Sequence, residues 1–137
     1  MSALRASRVM NKMKVLIQPR LRVRLGDIIA IGPGKADVLA AIAQTGSLSQ
    51  AARDLGMSYR RLWLLVDTMN QCFLSPLVET QTGGAQGGGT ALTPMGRQVL
   101  QHYRAMEQQA QRAIAPDALA LQALLKPNPL MTHPPQQ

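Results

Sequence analysis

The sequence predicts a mainly α-helical fold with a small β component. Three features point there. Apolar residues recur every three or four positions through most of the stretch from 35 to 113, the period of helices with one buried face. Two stretches, 20–31 and 77–93, instead carry short strand-like runs broken by turn-forming residues. The second holds five glycines in the seven positions from Gly83 to Gly89, between the runs Leu77-Val78-Glu79-Thr80 and Thr90-Ala91-Leu92-Thr93.

Taken in order, residues 1–19 read as a basic flexible arm. No acid precedes Asp27, whereas Arg5, Arg8, Lys12, Lys14, Arg20, Arg22 and Arg24 all do. Such an arm is read either as a nucleic-acid contact or as a solubilising tail. Leu21, Val23 and Leu25 alternate with Arg20, Arg22 and Arg24, which predicts a half-buried strand. Gly26-Asp27 supplies a two-residue turn, and Ile28 to Ile31 returns as the second strand of an N-terminal β-hairpin. Gly32-Pro33-Gly34 ends the pair. A helix is expected from about Lys35 to Thr45, with Val38, Leu39, Ile42 and Ala43 on one face and Gly46 as its stop. Ser47 is a good cap for a short helix over Leu48–Leu55, which Gly56 breaks. Ser58 caps a third helix, about Tyr59 to Phe73, where Leu62, Val66, Met69 and Phe73 recur at spacings of 4, 3 and 4; Pro76 forbids continuation. Thr93-Pro94 opens a long helix. In it Val99, Tyr103, Met106, Ala110 and Ala113 follow a 4-3-4-3 spacing, a seam suited to a partner helix. From Lys126 the chain carries four prolines and reads as disordered. The expected division is thus an arm, 1–19; a winged helix-turn-helix, 20–93; a dimerisation helix, 94–115; and a Pro-rich, disordered tail, 116–137.

Composition narrows the function. The chain's 137 residues suit one domain with appendages. Aromatic residues make up only 3%, so the core must rest on Leu, Ile, Val, Ala and Met. The net charge of +8 favours polyanionic partners, nucleic acid before an anionic membrane surface. The single cysteine, Cys72, rules out an intrachain disulfide and reads as a small buried residue. No apolar run approaches the ~18 residues of a membrane span, and no apolar segment of a signal peptide follows the basic start. A cytoplasmic protein with no membrane partner is expected.

The order of helix, short helix, tight turn, helix and two-stranded ribbon is that of a helix-turn-helix with a wing. In "GSLSQAARDLGMSYRRLW" a short turn containing Gly56 lets two helices cross steeply. Ala51 and Ala52 permit close backbone approach, and Leu48, Leu55 and Leu62 can bury between the helices. That leaves the first turn of the third helix, Ser58, Tyr59, Arg60 and Arg61, projecting outward. A recognition helix reaches base edges from its N-terminal end, where arginine holds guanine through O6 and N7 or clamps a phosphate. At about 100° per residue, Tyr59, Arg60 and Trp63 lie opposite the stripe of Leu62, Val66 and Met69. Trp63, flanked by Leu62, Leu64 and Leu65, is read both as a packing residue and as a DNA-facing one. Ser47, Ser49 and Gln50 start the second helix, where a helix crossing the DNA backbone would touch phosphate; Ser47 serves equally as a cap alone. The glycine-rich loop, Thr82, Gly83, Gly84, Gln86, Gly87 and Gly88, fits a wing offering main-chain N–H groups to DNA, or a plain connector. It is not a nucleotide loop of the G-x-x-x-x-G-K-[ST] kind, since it has no lysine. Enzymatic chemistry finds no support. The two histidines, His102 and His133, have no triad, paired-carboxylate or metal-ligand setting, and Asp67 reads as one end of a helix-face salt bridge to Arg60 or Arg61.

From Lys35 to about Arg112 the sequence closely resembles the N-terminal domain of ModE-type molybdate-dependent regulators, a winged-helix relative of the LysR type. The marks are "GSLSQAARDLGMSYRRLWLLVDTMN" followed by "PLVETQTGGAQGGGTALTPMGRQVL". The resemblance implies a transcription regulator that binds double-stranded DNA at a palindromic operator as a homodimer, with a link to molybdate metabolism. It places Ser58, Tyr59, Arg60, Arg61 and Trp63 in the recognition helix and Gly83 to Gly89 in the wing. It makes the last helix, with Val99, Tyr103, Met106 and Ala110, the dimer interface. One departure stands out. Full-length members carry C-terminal molybdate-binding modules, and only 25 residues follow Arg112 here. The chain therefore resembles the short forms of the family; no cofactor is expected, and whether molybdate is sensed stays open. The alternative from another class is a protein-interaction adaptor built on a winged helix.

Overall fold

The computed structural model describes residues 14–81 and 89–127. The chain divides into two units, Pro19–Ala110 and Met1–Gln18 with Gln111–Gln137. In the first, β1 (Val23–Leu25) pairs antiparallel with β2 (Ile28–Ile31). Gly26 turns the chain with φ +62°, the left-handed conformation that the first position of such a two-residue loop requires. The predicted burial of Val23 and Leu25 is not seen; both are exposed, and β1 is only three residues long. A register shift between Val23 and Arg24 breaks the alternation, and only the open end of the hairpin, Leu21, Ala30 and Ile31, meets the core.

Three helices follow. α1 (Pro33–Thr45) starts two positions before the expected Lys35, because Pro33 at the first helical position lacks only an N–H that would have no partner there. Ala36, Val38, Leu39 and Ile42 are buried, while Ala43 faces outward. Gly46 closes α1, its N–H donating to the Ile42 carbonyl at 2.8 Å. α2 (Leu48–Leu55) and α3 (Tyr59–Cys72) have the serine caps the sequence promised. Ser47 Oγ accepts from the Gln50 N–H and Ser58 Oγ from the Arg61 N–H, each at 3.1 Å. Ala51 and Ala52 are buried, so α2 packs backbone-close on its neighbours. Leu62, Val66 and Met69 form the inward stripe of α3. Cys72 is half-buried.

A second antiparallel pair, β3 (Val78–Gln81) and β4 (Gly89–Leu92), sets Val78 opposite Leu92 and Gln81 opposite Gly89. The expected wing residues Thr82, Gly83, Gly84, Gln86, Gly87 and Gly88 lie outside the described residues, as do most of the basic arm and the last part of the tail. α4 (Pro94–Gln122) is capped by Thr93, whose Oγ1 accepts from the Gly96 N–H at 3.0 Å.

Two expectations about α4 need correction. The helix does not end at Ala115; it runs through Pro116 to Gln122. Proline removes one helical hydrogen bond and crowds the preceding turn, but the surrounding Ala, Leu and Gln residues are strong helix formers. Tyr103, expected on a free seam between subunits, is only 2% exposed and belongs to the core of its own unit. Its Oη donates to the Leu21 carbonyl at 2.7 Å, and burial, followed by the nearby Glu107 carboxylate, pushes its ionisation upward. Val99 also packs partly against that core. Beside Tyr103, Arg104 bridges Asp37 of α1 and Glu107, each at 2.9 Å. Burial works against the Arg104 charge, and the bonds to Glu107 and Asp37 outweigh it, so its ionisation is raised. In the second unit, Gln111 Nε2 donates to the Ile17 carbonyl at 2.8 Å.

Candidate nucleic-acid interface

The candidate interface is built on the start of α3. Ser58 has extended backbone, φ −70° and ψ 154°, which brings the chain into the helix at an angle and satisfies the Arg61 N–H. Leu62 is then driven into the core, and Tyr59, Arg60 and Arg61 are left on the outside. Among the described residues neither the Arg60 nor the Arg61 guanidinium is engaged in an ion pair or side-chain hydrogen bond. Trp63 is 46% exposed and lies on the outer face, with Tyr59 at 53% and Leu64 at 49%. The exposure of Leu64 went unpredicted; its place one turn after Arg60 was the available signal. The five predicted recognition-helix residues therefore lie together on the exposed start of one helix.

The start of α2 is more constrained. Ser47 Oγ caps the helix and lies 3.2 Å from Ser49 Oγ. Gln50 Nε2 donates to Asp54 at 2.8 Å, and its Oε1 accepts from Arg53 Nη2 at 2.9 Å. Both ends of the Gln50 amide are thus occupied by its own helix, and Arg53, a residue the sequence did not single out, stands exposed beside it. Asp67 is not paired with Arg60 or Arg61 as expected; it accepts from Gln71 Nε2 at 3.0 Å, one turn along the helix.

α3 is joined to the ribbon by a residue that sequence reasoning gave no role. Asn70 Oδ1 accepts from the N–H groups of Leu77 at 2.8 Å and Val78 at 3.2 Å, and its Nδ2 donates to the Val78 carbonyl at 3.3 Å. From the other side Thr93 Oγ1 donates to the Pro76 carbonyl at 2.6 Å, and the Thr93 N–H to Leu77 O at 2.9 Å. The Thr90 N–H reaches the Gly46 carbonyl at 3.0 Å. The ribbon is therefore fixed to the ends of α1, α3 and α4.

Of the predicted dimer residues in Pro19–Ala110, Met106 is exposed and Ala110 half-buried. In the other unit Ile114, Leu119 and Leu121 of α4 are exposed, as are Leu124 and Leu125 beyond it.

No group of three or more His, Cys, Asp or Glu side chains among the described residues is placed to hold a metal ion. An oxyanion such as molybdate needs convergent cationic or N–H donors. The groove of about 630 Å³ bordered by Asn70, Glu79, Thr93 and Gln98 contains a carboxylate and no Lys or Arg. The smaller one by Trp63 and Asn70 holds the Asp67 carboxylate and likewise no cation. Neither fits that ligand. No described helix is long and apolar enough to cross a membrane.

Residues 35–97 match the family described as "Bacterial regulatory helix-turn-helix protein, lysR family". The molybdenum-pterin-binding protein MopB of Rhodobacter capsulatus is 43% identical over 77 residues, 56% of this chain and 28% of that protein. The DNA-binding transcriptional dual regulator ModE of Escherichia coli K12 is 38% identical over 109 residues, 77% of this chain and 42% of that protein. The chain thus spans less than half the length of these relatives. Among solved structures, the DNA-binding domain of CbnR in complex with DNA superposes with a TM-score of 0.50 at 20% identity, over 64% of this chain and 95% of that one, a likeness of fold. Residues 35–97 thus match a helix-turn-helix of the lysR family, and the chain is similar to the ModE-type regulators over 56–77% of its length.

Proposed function

We propose that this chain is a sequence-specific, double-stranded-DNA-binding transcription regulator that acts as a homodimer on a palindromic operator. The observation that carries the reading is the capped start of α3, where Arg60 and Arg61 stand exposed without partners among the described residues inside a helix-turn-helix of a regulator family. α3 enters the major groove; Arg60 and Arg61 contact bases or phosphates, and Ser47 and Ser49 approach the backbone at the start of α2. Two copies associate through α4, whose exposed Ile114 and Leu121 are offered to a second copy, and their recognition helices reach major grooves about one turn, ~34 Å, apart. The name of the Escherichia coli relative supports DNA binding and control of transcription, and the name MopB supports a link to molybdenum. On this reading the chain works in the cytoplasm and catalyses no reaction.

The test is duplex retention at two salt concentrations, with a duplex selected from a random pool. Wild-type affinity should fall steeply with salt. The Arg60→Ala, Arg61→Ala double variant should bind roughly 30-fold or more weakly, as loss of two such contacts implies, while melting at the wild-type temperature. An adaptor protein would show neither retention nor a salt slope. Unchanged binding by the folded double variant would refute the assignment.

A further inference from the structure

Resting on that DNA-binding reading, we propose that α3 reads the C5-methyl groups of thymine through Leu64 and Trp63, so that each half-site holds a thymine about two base pairs from the base contacted by Arg60. The outer face of α3 is not the cationic surface that phosphate contact alone would select. Tyr59, Trp63 and Leu64 stand exposed around one guanidinium, Arg60, and with it line a shallow depression of about 400 Å³. Large apolar side chains on a groove-facing helix need an apolar counterpart, because a polar base edge pressed against them loses its hydrogen bonds to water and gains none. The major groove presents one apolar group, the thymine methyl; the remaining base-edge groups there are donors or acceptors.

Helix geometry fixes the register. Leu64 follows Arg60 by one turn, and Trp63 follows Tyr59 by one turn, giving two neighbouring rows along the exposed face. Four residues advance about 6 Å along a helix axis, close to two base steps of 3.4 Å. Arg60 and Leu64 are thus spaced to address base pairs about two apart. The apolar rows end at Asp67, whose carboxylate is held by Gln71 at 3.0 Å and would repel phosphate. That confines close approach to the first two turns, where the apolar side chains are.

The experiment uses the full chain and a duplex selected from a random pool. Each thymine of a half-site is replaced in turn by deoxyuridine, which removes only the methyl. With wild-type protein, one or two positions per half-site should weaken binding about fourfold each, the value of one buried methyl-sized group. The Leu64→Ala variant should bind the thymine duplex more weakly and be indifferent to the methyl at its position. Trp63→Ala should do the same at a neighbouring position. If wild-type protein binds the duplex and no deoxyuridine changes affinity by more than twofold, the inference is overturned, DNA binding stands, and the exposed face is left to a protein partner. Full methyl sensitivity in both variants overturns it equally. Failure of the wild-type chain to retain any duplex removes the DNA-binding reading and this inference with it.

Discussion

Gly96→Ala should be among the most damaging single-methyl changes in this fold. A Cβ at Gly96 would stand 2.0 Å from the Leu77 carbonyl oxygen, 2.9 Å from the carbonyl carbon and 3.2 Å from Leu77 Cα. Non-bonded heavy atoms settle near 3.5 Å, so the first turn of α4 and the chain entering β3 must part by more than about 1 Å. These three nearest atoms are all backbone and cannot rotate away as a side chain would. Leu77 cannot retreat cheaply either: its side chain is fully buried, its N–H donates to Asn70 and its carbonyl accepts from the Thr93 N–H. Overpacking of this kind costs about 3 kcal/mol, the upper end of the usual range. Losing the Thr93 bond adds about 1 kcal/mol, and the better helix propensity of alanine offsets about 1 kcal/mol. The net loss is about 3 kcal/mol, a fall in melting temperature of roughly 12–24 °C for a domain of this size. Gly34→Ala is the control. Nothing lies within 4 Å of a Cβ there, so that change should be neutral or stabilise by up to about 1 kcal/mol. Thermal unfolding followed by circular dichroism reads both. A Gly96→Ala protein melting within a few degrees of wild type would refute the claim that α4 and Leu77 are locked backbone to backbone.

Two further outcomes are expected. Asn70→Ala leaves the N–H groups of Leu77 and Val78, both buried residues, without their acceptor, and should cost about 2 kcal/mol in urea unfolding; Asn70→Asp keeps the acceptor and should cost less, so equal losses would count against this role. Tyr103 ionises above its ordinary value in the folded state, through burial and then Glu107. The neutral phenol's contribution is therefore complete below pH ~10, the unfolded value, and is lost as pH rises through the higher folded one. Tyr103→Phe should be slightly less stable at neutral pH, having lost the bond to Leu21, yet should show a shallower decline in the alkaline range; parallel decline of both proteins would argue against the assignment.

The local signals in the sequence correspond to the element ends in the structure. Ser47 and Gly56 bound α2, and the side-chain cap of Ser58 opens α3, because caps and left-handed glycines act over three or four residues. The exposure of Tyr59, Arg60 and Arg61 followed from the same period that buries Leu62, Val66 and Met69. What failed was the assignment of partners. The spacing of Val99, Tyr103, Met106 and Ala110 shows a stripe on α4 without saying which surface covers it, and Tyr103 turned out to be covered by its own unit. Alternation in Arg20–Leu25 promised a buried face, but tertiary placement leaves the hairpin tip outside the core. Asn70 and Gly96 act through contacts with Leu77, which lies on a different element from either, and no periodicity within one element marks such a residue.

The bonds from Asn70 to β3 have a mechanical consequence. Because one side chain of α3 holds the root of the ribbon, the two cannot swing independently, and their separation is a built-in dimension of the unit. On the proposed DNA-binding reading, a duplex meets a gauge that has already been set, and little association energy is spent on aligning the parts. On that reading, loosening the root would leave the side chains at the start of α3 in place and still blunt the grip.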